Sequence, residues 1–430
     1  MIIHVVSQGD TVSSIAERYD VSVSKLIIDN GLEEPYELVT GQSIVIVYPE
    51  LTYTVKEGDS LSGIADTYHV TMMQLFMNNP FLYGRNFVYP GETIVLKYNR
   101  AGRISTNGFA FTFINNATLR KTLPYLTYLS IFNYRATKEG NLIEYYDDRE
   151  VLRTTKEYGT APLLLITALS IRGLNDAETA YAILLDEECQ NRYIENIIQI
   201  VRTKGYRGVN FAFQLIRETN QQLYQNFFNK ISKILKADSY SMFLTVDPDI
   251  CYGDDGISFE TIDYSEFGDA ADSITFMKFF WARNMDPPFP VSSVSALEIF
   301  LAYTDSYISP DRVNIAIPLI GYDWELPFYA GYSETTSLTL DKCIGLARDT
   351  NSVIRFDEVS QTPFFEYEVK SSYGSDIRHI VWFIDARSMD ALINLIPEYG
   401  LNGTAVWNVM FYNSQLWLMI NSQFEIEKIT

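Results

Sequence analysis

Three cysteines and three histidines in 430 residues leave little room for redox or metal chemistry. Cys189, Cys251 and Cys343 are too few and too scattered for a disulfide scaffold, and none sits in a CxxC pair, so reduced thiols are expected. His4, His69 and His379 form no metal-spaced cluster, and neither a metal nor another cofactor is expected. Basic residues are scarce too. The 33 Lys and Arg stand against 54 Asp and Glu, for a net charge of -21. A field of that sign repels nucleic acid and anionic lipid, which argues against both as partners. No apolar run approaches the roughly 18 residues of a membrane span. The opening MIIHVVSQGD has no basic segment followed by a sustained apolar stretch, so a chain made in the cytoplasm without a signal peptide is expected.

What is abundant is aromatic: 30 Tyr and 26 Phe bring the aromatic share to 14%, suited to a large core or to surfaces that stack on sugar rings. The first hundred residues contain an internal repeat. Val6, Gly9, Asp10, Ile15, Ala16, Tyr19, Val21, Leu26 and Asn30 recur 49 positions on as Val55, Gly58, Asp59, Ile64, Ala65, Tyr68, Val70, Leu75 and Asn79. Gly41 recurs as Gly91, 50 positions on, so one residue has been inserted. Each copy, residues 1–49 and 50–98, reads strand, turn, helix, helix, strand. The GD-[ST]-[LV]-x-x-IA pattern, the Asn ending the second helix and the late G-[QE]-x-[IV] strand resemble LysM modules. That resemblance implies binding of N-acetylglucosamine-containing glycans such as peptidoglycan or chitin. It places the groove at Gly9, Asp10, Thr11 and Val12 with Asn30, Gly31 and Leu32. In the second copy these are Gly58, Asp59, Ser60 and Leu61 with Asn79, Pro80 and Phe81. Helix capping is expected to be the larger part of what Asp10 and Asp59 do.

Residues 99–106 read as a polar linker, and 107–430 as strands alternating with helices, the pattern of an α/β parallel barrel. Eight strands are predicted, at 108–114, 125–133, 162–168, 209–214, 242–247, 273–280, 313–321 and 403–408. The clearest helices are at 188–203, 218–235 and 389–398. Residues 337–385 are too many for one crossover helix and are predicted as a small α+β insertion beside the mouth.

In KGYRGVNFAFQ, 204–214, Val209, Phe211 and Phe213 alternate with Asn210, Ala212 and Gln214, which puts the last three on one strand face. In a (β/α)8, or TIM, barrel that face points inward, and its C-terminal end lines the active-site mouth. The stretch resembles the DGxDxDxE signature of family 18 glycoside hydrolases. Arg207, Asn210, Ala212 and Gln214 stand where the signature has its acids. IPLIGYDWELPF, VWFIDARS and GTAVWN extend the likeness to spore cortex-lytic N-acetylglucosaminidases, which implies a place in a spore layer or cell wall. In such enzymes an acid Glu protonates the glycosidic oxygen and the substrate's N-acetyl group acts as nucleophile. Gln214 has no such proton, and general acid catalysis is worth roughly 10² to 10⁴ in rate. Ala212 cannot counter developing positive charge. Phe279 and Phe280 replace the Tyr and Asp that the family carries after its sixth strand, and Ile384 a further acidic position.

The reading is therefore a glycan-binding protein with a degenerate barrel. Trp407 is expected as the floor of the barrel pocket, with Trp281, Tyr322, Asp323 and Trp324 around it; the two phenylalanines either fill that pocket or leave it open to sugar. An active N-acetylglucosaminidase with relocated acids at Asp247, Asp249, Asp323 or Glu218 is the alternative. So is the parent of an engineered knockout at Ala212 and Gln214, or a coat protein that uses the barrel only as a platform.

Overall fold

The computed structural model describes residues 1–85, 87–167, 176–213, 216–253, 256–277, 287–370 and 376–429. In the first module the strands Ile2–Val5 and Ser43–Ile46 pair antiparallel around the helices Val12–Arg18 and Val23–Asn30. In the second, Leu51–Thr54 pairs with Thr93–Lys97 around Leu61–Tyr68 and Met72–Asn78. Local chemistry starts each helix. Thr11, Ser22, Ser60 and Thr71 each accept a hydrogen bond from the backbone N–H three residues on, satisfying a donor that the first turn leaves unpaired. The apolar positions at helical spacing then fill two separate cores, one around Ile15 and Leu26 and one around Ile64 and Leu75.

The capping role expected of Asp10 and Asp59 is corrected by this geometry. A cap sits immediately before its helix, and that place belongs to Thr11 and Ser60. The two carboxylates point back into the preceding turn and accept from the N–H of Ser7 (2.8 Å) and Lys56 (2.7 Å).

Eight parallel strands follow: Gly102–Phe111, Tyr128–Phe132, Ala161–Thr167, Gly208–Phe213, Ser241–Val246, Ser273–Phe276, Val313–Pro318 and Gly403–Trp407. The last pairs with the first, Gly403 opposite Ser105, and closes a (β/α)8 barrel. All eight occur in the predicted order. Phe211 and Phe213 face outward and pack against Tyr224, Phe227 and Phe228 of the helix Gln221–Ala237, with ring centroids 5.5 to 5.7 Å apart. Burying each such ring stabilises by about 1.5–3 kcal/mol. The alternation across 209–213 is thus real, and Asn210 and Ala212 point inward.

Two boundaries differ from the prediction. The first strand begins at Gly102, inside the stretch read as a linker. Its Ser105 and Thr106 are buried, and Thr106 donates its hydroxyl to the Tyr125 carbonyl (2.6 Å) and its N–H to Thr127 Oγ1 (3.0 Å). The seventh strand ends at Pro318, and Gly321–Leu326 leaves the barrel to pair with Thr335–Leu338 and Asp376–Trp382. The five-stranded insertion sheet therefore starts at Gly321, not at Ser337, and carries Tyr322, Asp323 and Trp324.

One helix, Ser414–Gln423, holds both modules against the barrel. Near its start Gln415 Nε2 donates to Asn30 Oδ1 and to the Ser43 carbonyl, both at 2.9 Å. Near its end Asn421 Nδ2 donates to Asn78 Oδ1 at 2.9 Å. Val45, Val47, Met77 and Val95 join the barrel's own core.

Candidate functional site

The barrel interior is built in layers, because alternate residues of each strand point inward. One layer is polar and linked by a chain of hydrogen bonds. Ser130 Oγ donates to Asn107 Oδ1 (3.0 Å), Asn210 Nδ2 donates to Ser130 Oγ (2.9 Å), and Thr245 Oγ1 donates to Asn210 Oδ1 (2.9 Å). Asn210, fully buried, thus ties three strands together, and Asn107 brings in a fourth through Ser130. Above it, toward the C-terminal ends of the strands, lies an apolar layer of Phe109, Phe132, Leu165, Ala212, Met277, Ala316 and Ala405. Ala212 is 3% exposed in that layer, surrounded by hydrocarbon. Arg207 lies at the other end of the same strand, exposed, its N–H donating to the Pro162 carbonyl.

Trp407, half-buried, covers the apolar layer with its ring 5.5 Å from Phe109. From there rings lead outward. Phe111 stacks on Phe113 (5.2 Å), and Phe113 meets Tyr146 edge-on (5.9 Å). Phe113, Tyr146 and Phe411 are each more than half exposed, on the loops following three neighbouring strands. Such rings offer flat apolar faces to a pyranose. The sequence reading missed them, although Phe109, Phe111 and Phe113 recur with the period of a strand whose one face enters the mouth.

Tyr322 and Trp324, expected as pocket walls, are 2% and 1% exposed and pack under the insertion with Phe289, so neither presents a face to a sugar. Asp323 alternates with them and lies on the opposite sheet face. It accepts from Tyr367 Oη (2.6 Å), and His379 Nδ1 lies 3.0 Å from its other oxygen. Asp249 is ion-paired with Arg217 at 3.1 Å and donates its N–H to Asp247. Glu218 is joined through its N–H to Glu260. Gln214, Phe279, Phe280 and Trp281 lie outside the described residues. Among the described residues no group of three or more His, Cys, Asp or Glu is placed to hold a metal ion.

In the modules, Asn30 and Asn79 act as matching clamps. Each donates Nδ2 to the carbonyl of Leu26 or Leu75 and to that of Val45 or Val95, and each accepts the N–H of Val45 or Val95. Their amides are buried and already occupied. Gly9 and Gly58 face open space, with φ near +89° and +87°, the left-handed region that favours glycine. The turn carboxylates are held below their ordinary value. For Asp10 the first cause is the Ser7 N–H; for Asp59 it is the Tyr53 hydroxyl at 2.6 Å, which is itself pushed up to about 12.

Comparison with known proteins gives the same two parts. The family model "Glycosyl hydrolases family 18" matches residues 109–411, and the LysM model matches 4–47 and 53–97. The chain is 30% identical over 431 residues to a cortical fragment-lytic enzyme of Bacillus anthracis, with 98% of each covered. It is 31% identical over 443 residues to that of Bacillus subtilis, with 100% of each covered. The crystal structure of the spore cortex-lytic enzyme SleL of Bacillus megaterium superimposes with a TM-score of 0.77 at 28% identity, covering 99% of this chain and 98% of that one.

Proposed function

The chain belongs to glycosyl hydrolase family 18 and carries two LysM domains, and from that premise we propose that it is a glycan-binding protein of the spore cortex or cell wall whose barrel no longer cleaves. Its ligand is an N-acetylglucosamine-containing glycan of peptidoglycan type. The observation that carries the loss of cleavage is Ala212: where the family signature has a carboxylate, a methyl group completes an apolar layer with Phe109, Phe132 and Met277. Gln214, Phe279 and Phe280 add to it from sequence alone. Support for retained sugar contact comes from the rings of Trp407, Phe111, Phe113 and Tyr146, which still run from the barrel floor to solvent. The relatives are named as lytic enzymes, which would make this chain a binding counterpart of cutting relatives.

Purified protein is expected to show no turnover of cortex fragments or N-acetylglucosamine oligomers above background, while sedimenting with cortex or peptidoglycan. Turnover by the unaltered chain would overturn the loss of cleavage; failure to sediment would overturn the binding role. Ala212→Asp with Gln214→Glu is expected to stay inactive, since the groups that orient the N-acetyl nucleophile remain absent. The aspartate also has to enter a hydrocarbon layer, at a cost of about 3 kcal/mol or more in stability. Activity in that double variant would mark the chain as a disabled enzyme.

A further inference from the structure

The repeat-equivalent loops of the two modules, 30–32 and 79–81, do not face outward as two separate sites. Asn30, Gly31 and Leu32 of the first and Pro80 and Phe81 of the second line one crevice of about 580 Å³. Its other walls are the barrel residues Lys121 and Tyr412 and the insertion helix Leu340–Asp349, through Ile344 and Gly345. The volume falls within the roughly 300–1,000 Å³ of small-ligand sites. Residues 9–12 and 58–61, the other half of each expected groove, do not line it.

Both modules turn the same loop inward for a physical reason. In each, the asparagine ending the second helix is spent on the closing strand, and that strand face is covered by the barrel. The loops next to it are thereby carried to a shared boundary. There the Lys121 ammonium lies 3.9 Å from the centroid of the Tyr412 ring, with no hydrogen bond or ion pair to any described residue. Burial holds its pKa below the ordinary lysine value. An ammonium placed this way has donors left for a carbonyl or carboxylate. Phe81 and Leu32 add apolar surface to the walls.

We propose that the crevice is a single composite site for one segment of N-acetylated glycan, gripped by both modules, the barrel and the insertion at once, with Lys121 donating to an N-acetyl carbonyl or a sugar carboxylate. The proposal rests on the reading of the modules as glycan binders. It replaces two independent weak sites by one site per chain, and it makes glycan binding depend on residues outside the modules.

Calorimetric titration of the full chain with the N-acetylglucosamine hexamer, and separately with a peptidoglycan disaccharide bearing a muramyl carboxylate, tests it. One saccharide per chain is expected. Gly345→Phe should abolish binding by filling the crevice; a Cβ there meets only the Arg348 guanidinium, at 3.8 Å, so the helix should accept the change, and an unaltered thermal midpoint would verify that it has. Lys121→Met should weaken binding tenfold or more, and more for the carboxylated probe if the carboxylate is the acceptor. The saccharide count and both variants are read in a Trp407→Ala background, which removes sugar contact at the barrel mouth and should keep the crevice's one saccharide. Two saccharides per chain in that background, or full affinity there in both Gly345→Phe and Lys121→Met, would overturn the composite site while leaving the modules as binders. Loss of binding in Trp407→Ala alone would also overturn it, moving the saccharide to the mouth. Failure of the unaltered chain to bind either probe, or to sediment with cortex, would instead overturn the reading of the modules themselves.

Discussion

The two N-terminal modules share a fold, a capping scheme and an asparagine clamp, yet the protein uses their last loops differently. Gly41 and Gly91 occupy equivalent positions, with φ of +89° and +91°. A Cβ on Gly41 would stand 1.9 Å from the Ile354 carbonyl oxygen of the insertion, whereas one on Gly91 would meet nothing within 4 Å. Two residues earlier the contrast repeats. Val39 is 5% exposed in a core shared with Cys343, Phe365 and Val381 of the insertion. Its equivalent Tyr89 is 56% exposed, beside Phe87 and the Arg85 guanidinium that Glu92 holds at 3.0 Å. The first module's loop is a structural joint and the second's an open surface. A repeated sequence has been given one buried and one free copy by what packs on it.

The largest effect should come from making these glycines alike. Gly41→Ala meets both a backbone clash and a left-handed φ, so it should cost about 2–5 kcal/mol. Gly91→Ala meets only the φ and should cost about 1–2 kcal/mol. Thermal unfolding of both variants measures the gap, and equal losses would break the comparison.

The asparagines sharpen it from the other side. Asn30→Ala and Asn79→Ala each strand a buried strand N–H and two carbonyls, for about 1–3 kcal/mol apiece. Only Asn30 also accepts from Gln415, so hydrogen exchange should rise in the helix Ser414–Gln423 for Asn30→Ala and not for Asn79→Ala.

Acid should loosen both modules, because the turn carboxylate of each is held below its ordinary value. The folded value of Asp59 lies below its ordinary 3.8, so its stabilisation is fully present above that pH and fades as pH falls through the folded value. Asp59→Asn should remove that part of the acid dependence, read as the slope of the thermal midpoint against pH. The smallest effect on stability is expected at the free surface. Phe87→Ala and Tyr89→Ala should change it by no more than about 0.5 kcal/mol.

Much of this was legible in the chain itself. The 49-residue repeat located both modules, and eight apolar alternations gave the barrel strands in order, because side-chain period and capping are set by neighbours a few positions apart. Boundaries failed where polarity misled. Ser105 and Thr106 read as linker but are buried strand; the Thr106 hydroxyl and N–H are satisfied by a loop some twenty positions on, and the Ser105 N–H by the Asn402 carbonyl. Tyr322, Asp323 and Trp324 read as pocket residues just past a barrel strand ending at 321; only pairing with Asp376–Trp382 puts them in the insertion.

The sequence alone therefore determined the elements, their order and the missing carboxylate at Ala212. It could not decide which of two equivalent loops is covered or where two sets of loops converge. Those depend on contacts such as Gln415 with Asn30, 385 positions apart, and on Ile354 closing over Gly41. No local pattern records such contacts, since they exist only once the barrel has closed and placed its last helix between the two modules.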